Sequence, residues 1–253
     1  MINRLKGKTA LVTGATSGIG RASAVQLAQL GVNLILTGRN KEKLDHIVEE
    51  LSDTQISIEL IVLDVRERTD VKEKLEGTQA DILINNAGLA LGLEPLYEGD
   101  IDQWEEMIDA NIKGLLYVSR AVIPQMKAKG RGHIVNIGSI AGEMAYPGGN
   151  VYCASKAAVH SLSKSMNIDL QGTGVRVSNV APGAAETNFS NTRFSGDSEK
   201  AQGVYEGYEA LKADDIAELI IYILNTPEHV NIQETLIMPT AQRNPYVLSR
   251  EAD

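Results

Sequence analysis

Residues 9–20 read TALVTGATSGIG, in which an apolar run passes directly into a loop with three glycines. The run at 9–12 is typical of a buried β-strand, and a helical pattern resumes at residue 22. Glycines let a backbone approach a phosphate closely, and the free N–H groups at the start of a helix attract anions. The stretch therefore predicts a phosphate-binding loop made of Gly14, Thr16, Ser17, Gly18, Ile19 and Gly20.

The glycine spacing in this loop is G-x-x-x-G-x-G, which differs from the common G-x-G-x-x-G pattern. A glycine-rich turn with a purely structural purpose is the alternative interpretation. The position directly after the first strand favours the phosphate-binding interpretation, because nucleotide sites in α/β folds lie at this point of the chain.

Apolar, β-branched runs alternate with stretches of helical periodicity along the rest of the 253 residues. Nearly continuous apolar runs are typical of strands that are buried on both faces of a parallel sheet. The pattern predicts strands at 9–12, 32–36, 56–62, 81–84, 133–137 and 175–180, and helices at 22–30, 41–51, 69–75, 101–127 and 151–170. We therefore expect one α/β domain over residues 1–253, a Rossmann-type doubly wound parallel sheet flanked by helices.

Composition argues against several classes of protein and site. The net charge of -9 offers no basic surface for a phosphate backbone, so nucleic acid is not an expected partner. No apolar run reaches about 18 residues and no signal peptide is indicated, so no membrane association is expected. The single Cys153 cannot form an internal disulfide, and the four histidines have no metal-ligand spacing with it. These features predict a metal-free protein in a reducing cytoplasm.

The end of the predicted second strand carries Arg39, in the stretch TGRN at 37–40. Sites for NAD place an acidic residue at this point to accept the ribose 2′-hydroxyl, whereas an arginine favours a 2′-phosphate. Arg39 therefore favours NADP(H) over NAD(H). The alternative is an arginine that only caps or solvates the strand end.

Tyr152 and Lys156 are four positions apart at the start of a predicted helix, so both project from one face. A nearby ammonium stabilises a phenolate and lowers the tyrosine pKa from about 10, which prepares a tyrosine for proton transfer. Ser139, at the end of the predicted fifth strand, can offer a hydroxyl to a substrate oxygen. A solvated surface pair is the alternative, but all three residues are expected near the phosphate-binding loop. Cys153 and His160 on the same helix are interpreted as a buried thiol and a packed or surface imidazole.

Residues 184–207 interrupt the alternation, because they are polar, rich in small residues and weakly periodic. They follow the predicted sixth strand, at the sheet edge where ligands bind in such folds. We expect a mobile substrate lid here. The C-terminal tail at 239–253 is expected to reach a neighbouring subunit.

Six motifs occur in order along nearly the whole chain: TGATSGIG at 13–20, NNAG at 85–88, Asn111 in DANIKG, Ser139, YCASK at 152–156 and the pair Pro182 and Gly183. Together they resemble the short-chain dehydrogenase/reductase family. The resemblance implies an NADP(H)-dependent oxidoreductase acting on CH–OH groups, with the catalytic tetrad Asn111, Ser139, Tyr152 and Lys156.

In that family, the residue matching Tyr152 is the acid or base, and the one matching Ser139 positions the carbonyl. The resemblance implies that Lys156 holds the nicotinamide ribose and lowers the tyrosine pKa, while Asn111 anchors a water that relays protons. It also implies that the cofactor is bound by Gly14, Thr16, Ser17, Gly18, Ile19, Gly20, Arg39, Asp64, Val65, Asn86, Ala87, Gly88, Tyr152, Lys156, Pro182, Gly183 and Thr187.

Four further strings lie outside the shared catalytic motifs: 85–95, 146–156, 187–197 and the late segments PEHVNI and MPT. They resemble the group of NADP-dependent 3-hydroxy acid dehydrogenases, which includes serine and L-allo-threonine dehydrogenases. A related branch reduces sulfoacetaldehyde. The substrate is therefore expected to be a small polar hydroxy acid or alcohol, held by Ser139, Tyr152 and, through a carboxylate or sulfonate, by Arg193 or Asn150. Surface solvation is the alternative for Arg193.

Two other functions are considered. A 3-oxoacyl-carrier reductase needs a basic patch for an acidic carrier protein, and no such cluster is evident. A non-catalytic NADP-binding sensor has no need of an intact tetrad. The long helices predicted at 101–127 and 151–170 resemble those that pair in family tetramers, so a homotetramer is expected.

Overall fold

The computed structural model describes residues 2–194 and 196–250, and in these ranges seven parallel strands form one sheet in the order β3-β2-β1-β4-β5-β6-β9. The strands are β1 Thr9–Val12, β2 Asn33–Gly38, β3 Ile58–Val62, β4 Ile82–Asn85, β5 Gly132–Ile137, β6 Val175–Pro182 and β9 Glu234–Ile237. The strand order reverses between β1 and β4. This reversal confirms the predicted Rossmann-type doubly wound parallel sheet.

The sequence pattern predicted six of these strands and missed β9. That strand lies at the sheet edge beside β6, and its residues alternate between exposed and half-buried positions. Only four residues long and without a continuous apolar run, it gives a weak sequence signal. A separate pair of two-residue strands, β7 Ala185–Glu186 and β8 Leu211–Lys212, brackets most of the predicted lid.

Helices cover both faces of the sheet. They are α1 Gly18–Gln29, α2 Lys41–Glu50, α3 Arg68–Leu75, α4 Ile101–Ile108, α5 Leu115–Lys129, α6 Asn150–Asp169, α7 Phe189–Arg193, α8 Ser198–Gly203 and α9 Ala213–Leu224. Within residues 2–194 and 196–250, no helix combines the length and apolarity that crossing a bilayer requires.

Alternating strand residues feed two separate cores. On β1, Ala10 and Val12 pack with apolar residues of α1, α2 and α9, whereas Leu11 packs with those of α3 and α5. Successive side chains of a strand point to opposite faces, so a sheet covered on both sides needs apolar residues at every position. This requirement explains the uninterrupted apolar runs that revealed the sheet in the sequence.

One predicted helix, 101–127, is divided in the structure. A π-helical turn at Asp109–Gly114 separates α4 from α5. Single π-helical turns often mark functional sites. Here the turn carries Asn111, which is buried.

The region predicted as an irregular lid contains regular structure. Residues 184–194 and 196–207 include β7, α7 and α8, while Ser195 lies outside the described residues. The helices are only five and six residues long, which is too short for a clear period in the sequence. Residues 239–250 of the tail fold back on themselves through a bridge between Gln242 and Leu248, and the predicted tail residues 251–253 lie outside the described part.

Candidate active site

A cavity of about 740 Å³ opens at the carboxyl ends of the parallel strands. Most residues predicted to form the site line it: Gly14, Thr16, Ser17, Gly18, Ile19, Arg39, Asp64, Val65, Asn86, Ala87, Gly88, Ser139, Tyr152, Lys156, Pro182, Gly183, Thr187 and Arg193. Three predicted residues do not line it within the described part of the chain: Gly20, Asn111 and Asn150. The fold thus brings segments from six loops to one side of the sheet.

The glycine loop is fixed by its fit against the loop after β4. Gly14 has a φ of +64°, and a Cβ there would lie 2.9 Å from Asn86 Nδ2 and 3.0 Å from Ala87 Cα. Asn86 Nδ2 donates to the carbonyls of Thr13, at 2.9 Å, and Gly14, at 3.0 Å. A side chain at Gly14 would therefore push the glycine loop away from the loop after β4. The fit between these two loops positions the N-terminus of α1. Gly20 also packs against Asn86 and acts through this fit.

The cavity end beneath β2 and β3 is rich in cationic side chains. Arg39 lines the cavity and makes no ion pair or hydrogen bond within the described residues. Lys43, in the first turn of α2, lines the same region, and the sequence analysis missed it. Lys43 stands four positions after Arg39 in the sequence. This spacing does not show which way the Lys43 side chain points until α2 is placed on the sheet.

Asp64 is already bound within this region. Arg66 Nη2 lies 2.7 Å from Asp64 Oδ2, and Arg66 Nη1 lies 3.4 Å from Glu106 Oε2. Burial raises the pKa of the Asp64 carboxyl, but hydrogen bonds and charge from Arg66 outweigh it and hold this pKa below the usual value. The carboxylate thus stays ionised, and Arg39 is free to face an anion.

Ser139, Tyr152 and Lys156 meet at the centre of the cavity. Ser139 lies two residues after the end of β5 in extended conformation, and its Oγ accepts a hydrogen bond from the Ala141 N–H at 3.1 Å. The Ser139 hydroxyl donates to the Pro182 carbonyl at 3.5 Å, and its proximity to the Tyr152 phenol acts to lower the pKa of that phenol. Lys156 Nζ lies 6.0 Å from the centre of the Tyr152 ring and donates to the Ile137 carbonyl at 2.8 Å. One face of α6 thus presents both titratable groups to the end of β5.

Burial dominates the proton affinities of these two groups. It raises the pKa of Tyr152 well above its usual value, and the nearby Tyr146 adds to this effect, against smaller opposite contributions from Ser139 and Arg193. Burial also lowers the pKa of Lys156 to about 8. The direction for Tyr152 is opposite to the sequence expectation, because removing water from a phenolate outweighs an ammonium that is 6.0 Å from the ring centre. The surrounding protein groups by themselves thus favour the protonated phenol.

Asn111 lies behind this centre. Its amide donates to the Leu89 carbonyl at 2.8 Å and to Ser155 Oγ at 2.9 Å, while its Oδ1 accepts from the Leu89 N–H at 2.8 Å. A Cβ on Gly88 would lie 2.8 Å from Asn111 Oδ1 and 3.8 Å from Lys156 Nζ. Asn111 and Lys156 therefore both border Gly88, and Asn111 ties α6 to the loop after β4 through Ser155 and Leu89.

Arg193, at the end of α7, reaches over Tyr152. Its Nη1 donates to Tyr146 Oη at 2.7 Å, its Nε donates to the Gly92 carbonyl at 3.2 Å, and its guanidinium carbon lies 5.5 Å from the Tyr152 ring centre. Its Nη2 is buried and makes no hydrogen bond within the described residues. A buried N–H group without an acceptor is costly, so an anionic ligand would relieve this cost once the residues around the nitrogen move to admit it.

Asn150 is used differently from the sequence prediction. Its Nδ2 donates to the Glu94 carbonyl at 2.9 Å, and its Oδ1 accepts from the Val151 N–H at 2.6 Å. Both ends of the amide are thus engaged at the start of α6, outside the cavity. The structure brings Arg193, and not Asn150, to the Tyr152 ring in the cavity.

A second cluster lies behind Ser139. Among the described residues, Glu143, His160 and Glu234 place one ligand-type atom each within 4.8 Å of the others, and they border a smaller cavity of about 510 Å³. The sequence spacing of these three residues gave no indication of a cluster, because they come from three separate parts of the chain.

Comparisons with known proteins agree with this geometry. The family profile described as short chain dehydrogenase matches residues 8–198. The NADP-dependent 3-hydroxy acid dehydrogenase YdfG of Salmonella typhi is 45% identical over 238 residues, which cover 92% of this chain and 95% of that protein. Sulfoacetaldehyde reductase 2 of Chromohalobacter salexigens is 46% identical over 238 residues, which cover 92% of this chain and 94% of that protein.

A solved structure gives the same result. The closed form of serine dehydrogenase complexed with NADP+ superposes with a TM-score of 0.91 at 42% identity, covering 96% of this chain and 100% of that chain. The resemblance predicted from the sequence motifs is confirmed. The chain belongs to the short chain dehydrogenase family.

Proposed function

We propose that this protein is an NADP(H)-dependent oxidoreductase that interconverts a small 3-hydroxy acid and the matching carbonyl compound. The observation that carries the substrate class is the Arg193 guanidinium over Tyr152, with a buried Nη2 that has no acceptor within the described residues. The observation that carries the cofactor class is the pair of cationic side chains, Arg39 and Lys43, at the opposite end of the same cavity.

The residues present fit NADP(H). The loop at Gly14 and Gly18 offers a close backbone approach and the N-terminus of α1 for a pyrophosphate. Arg39 and Lys43 offer charge for a 2′-phosphate, and Asp64 and Val65 border the space beside them for an adenine. When bound, the nicotinamide supplies or accepts the hydride. The loop carrying Pro182, Gly183 and Thr187 borders the end of the cavity where Tyr152 lies, as a nicotinamide site requires.

Tyr152 is the proposed acid for reduction and, in reverse, the base for oxidation. Its raised pKa keeps a proton available at the phenol oxygen, and the Ser139 hydroxyl beside it holds the substrate oxygen. Lys156, whose Nζ donates to the Ile137 carbonyl, is proposed to hold the nicotinamide ribose, and Asn111, which borders Gly88 as Lys156 does, is proposed to anchor a water that relays protons. These groups contribute mainly by positioning and by donors aimed at the developing alkoxide.

Residues 184–207 are proposed to act as the substrate lid of a single catalytic domain. Arg193 ties the lid to the opposite rim of the cavity through two hydrogen bonds. Its Nε donates to the Gly92 carbonyl, and the Gly92 N–H donates to the Arg193 carbonyl at 3.2 Å. Gln242 of the tail accepts from the Ala184 N–H at 2.8 Å and holds the first residue of the lid. Closure would remove water from the reacting atoms.

Sulfoacetaldehyde reduction is the second candidate. A sulfonate fits the free guanidinium nitrogen as a carboxylate does, and a relative of this name is 46% identical. A homotetramer in a cytoplasmic setting remains our prediction for the assembly and location, to be measured by light scattering and by fractionation.

The decisive experiment is a two-way activity panel. NADPH oxidation is followed with small aldehydes, 3-oxo acids and sulfoacetaldehyde, and NADP+ reduction is followed with L-serine, L-allo-threonine and 3-hydroxypropionate. Turnover of the hydroxy acids supports the proposal, whereas a strong preference for sulfoacetaldehyde assigns the second candidate. Tight NADPH binding without any turnover contradicts both and favours a sensor.

A further inference from the structure

His160 lies two turns after Tyr152 on α6, and 6% of its surface is exposed. Its Nε2 lies 3.1 Å from the Ser139 carbonyl oxygen, on the side of Ser139 away from the cavity. The Gly142 N–H donates to the same oxygen at 2.9 Å. Both lone pairs of the Ser139 carbonyl are therefore used, one by its own turn and one by α6.

The glycines on either side of Ser139 make room for this imidazole. A Cβ on Gly138 would lie 2.9 Å from His160 Nε2, and a Cβ on Gly142 would lie 2.8 Å from His160 Cδ2. The ring thus fills the space between two glycines of the segment that presents Ser139. A segment with two glycines has much backbone freedom, so its conformation depends on what packs against it.

The other ring nitrogen is held from the sheet edge. His160 Nδ1 lies 2.8 Å from Glu234 Oε1 on β9, and Lys164 Nζ lies 3.3 Å from Glu234 Oε2. Both ring nitrogens thus face oxygen atoms, Nε2 the Ser139 carbonyl and Nδ1 the Glu234 carboxylate. Burial raises the pKa of the Glu234 carboxyl, but the Lys164 hydrogen bond and the charge of His160 outweigh this and keep it below its usual value.

We propose that His160, oriented by Glu234, is a positioning residue that fixes Ser139 for the reaction. A continuous contact path runs from β9 through Glu234 and His160 to the Ser139 carbonyl, and Ser139 lines the same cavity as Tyr152. The inference deepens the proposed function, because it depends on Ser139 holding the substrate oxygen. It assigns a purpose to an imidazole that the sequence pattern gave no reason to single out.

The same cluster has the composition of a metal site, since Glu143 also approaches His160 and Glu234. However, Lys164 already faces one carboxylate oxygen of Glu234. His160 Nδ1 faces the other Glu234 oxygen, so both oxygens of this carboxylate have partners within the protein before any ion is added.

The test compares His160→Leu, which removes both ring nitrogens, with His160→Gln, which keeps an amide donor for the Ser139 carbonyl. His160→Leu is expected to lower kcat about tenfold with an unchanged Kd for NADPH, and His160→Gln to stay within about threefold of the wild type. Glu234→Gln is expected to fall between them. His46→Leu is the matched control, because His46 forms an exposed pair with Glu49 on α2.

A double-mutant cycle separates positioning from general support of the fold. In a Ser139→Ala background, His160→Leu is expected to lose most of its effect on kcat, because the group that it positions is gone. Equal effects of His160→Leu with and without Ser139 would overturn the inference. So would activity that falls on chelation, or thermal stabilisation by Zn²⁺ in the wild type and not in His160→Gln, since either result assigns the cluster to a metal.

Hydrogen exchange of the amides at 138–142 gives a readout that does not need turnover. Exchange is expected to be faster in His160→Leu and near wild type in His160→Gln, and unchanged exchange in both would overturn the inference. If the wild-type enzyme is inactive on the whole panel but hydrogen exchange behaves as expected, the proposed function is rejected. The inference that His160 supports the Ser139 segment then still stands.

Discussion

The two ends of the cavity are built in different ways. The nucleotide end consists of short loops directly after β1, β2 and β4, and its shape is set by backbone fit, as at Gly14 against Asn86. The substrate end is assembled from α6, the lid and the tail, which meet through side chains such as Arg193 on Tyr146 and Gln242 on Ala184.

This difference teaches where function can change without a change of fold. Loops that continue a buried strand are held by the sheet, so the nucleotide end should be stiff. Contacts between long side chains can be exchanged one at a time, so the substrate end should tolerate changes of specificity. Substitutions at the two ends should therefore alter different kinetic constants.

Replacing Tyr152 by Phe should have the largest effect, because it removes the proton donor at the meeting point of the two ends. We expect kcat to fall by about 10³-fold, with an NADPH Kd within about twofold of the wild type. Stopped-flow turnover and fluorescence titration measure the two quantities. Tyr97→Phe, at an exposed position, is the control. Residual activity of more than a few per cent would reject Tyr152 as the acid.

Replacing Arg193 by Leu tests the substrate end alone. We expect kcat/KM for anionic substrates to fall about 100-fold, because a charge-assisted hydrogen bond to the carboxylate or sulfonate is lost. A neutral aldehyde of the same size should lose much less, and the NADPH KM should not change. Arg193→Lys keeps the charge without the forked geometry and should recover part of the loss. An equal loss for neutral and anionic substrates would show that Arg193 only closes the lid.

Replacing Arg39 by Ala tests the nucleotide end alone. We expect kcat/KM for NADPH to fall about 50-fold while the value for NADH stays the same, because the 2′-phosphate loses an ionic partner. Arg21→Ala is a suitable control, since Arg21 pairs with Glu50 at the surface. Similar losses for both nucleotides would remove Arg39 from the 2′-phosphate site.

Low pH should lower the free energy of unfolding of the sheet that carries both ends of the cavity. Burial, and then the charges of Arg176 and Lys8, lower the pKa of His133 on β5 from 6.5 to about 3. The folded protein keeps this imidazole neutral while the unfolded chain binds a proton below pH 6.5, so stability is lost as pH falls from 6.5 towards 3.

Between pH 7 and pH 5 this group should remove about 2 kcal/mol from the free energy of unfolding. His133→Gln should remove that part of the pH dependence, as urea unfolding at the two pH values can measure. Identical slopes for the variant and the wild type would show that other groups govern acid stability. As the pH falls and the protein unfolds, cofactor binding and turnover should decline together. The Arg39 and Arg193 variants, in contrast, should each affect only one end of the cavity.

The sequence was most informative where structure and site are encoded locally. The apolar runs predicted six strands, and the glycine loop followed from its position after β1. The pair Tyr152 and Lys156 was visible because two residues four apart share a helix face in any context. The missed strand β9 shows the limit, since an edge strand is covered on one side and needs no continuous apolar run.

The amino-acid sequence by itself determined the parallel sheet, because the apolar pattern depends on neighbours within a few positions, and its motifs predicted the phosphate-binding loop and, through the family resemblance, the catalytic residues that we propose. The tertiary structure alone decided that Lys43 faces the cavity, that Arg193 and not Asn150 reaches Tyr152, and that His160 supports Ser139 from β9. These contacts join segments far apart in the chain. The tertiary structure also decided that the pKa of Tyr152 is raised, because the loss of water around a phenol depends on all the groups packed against it.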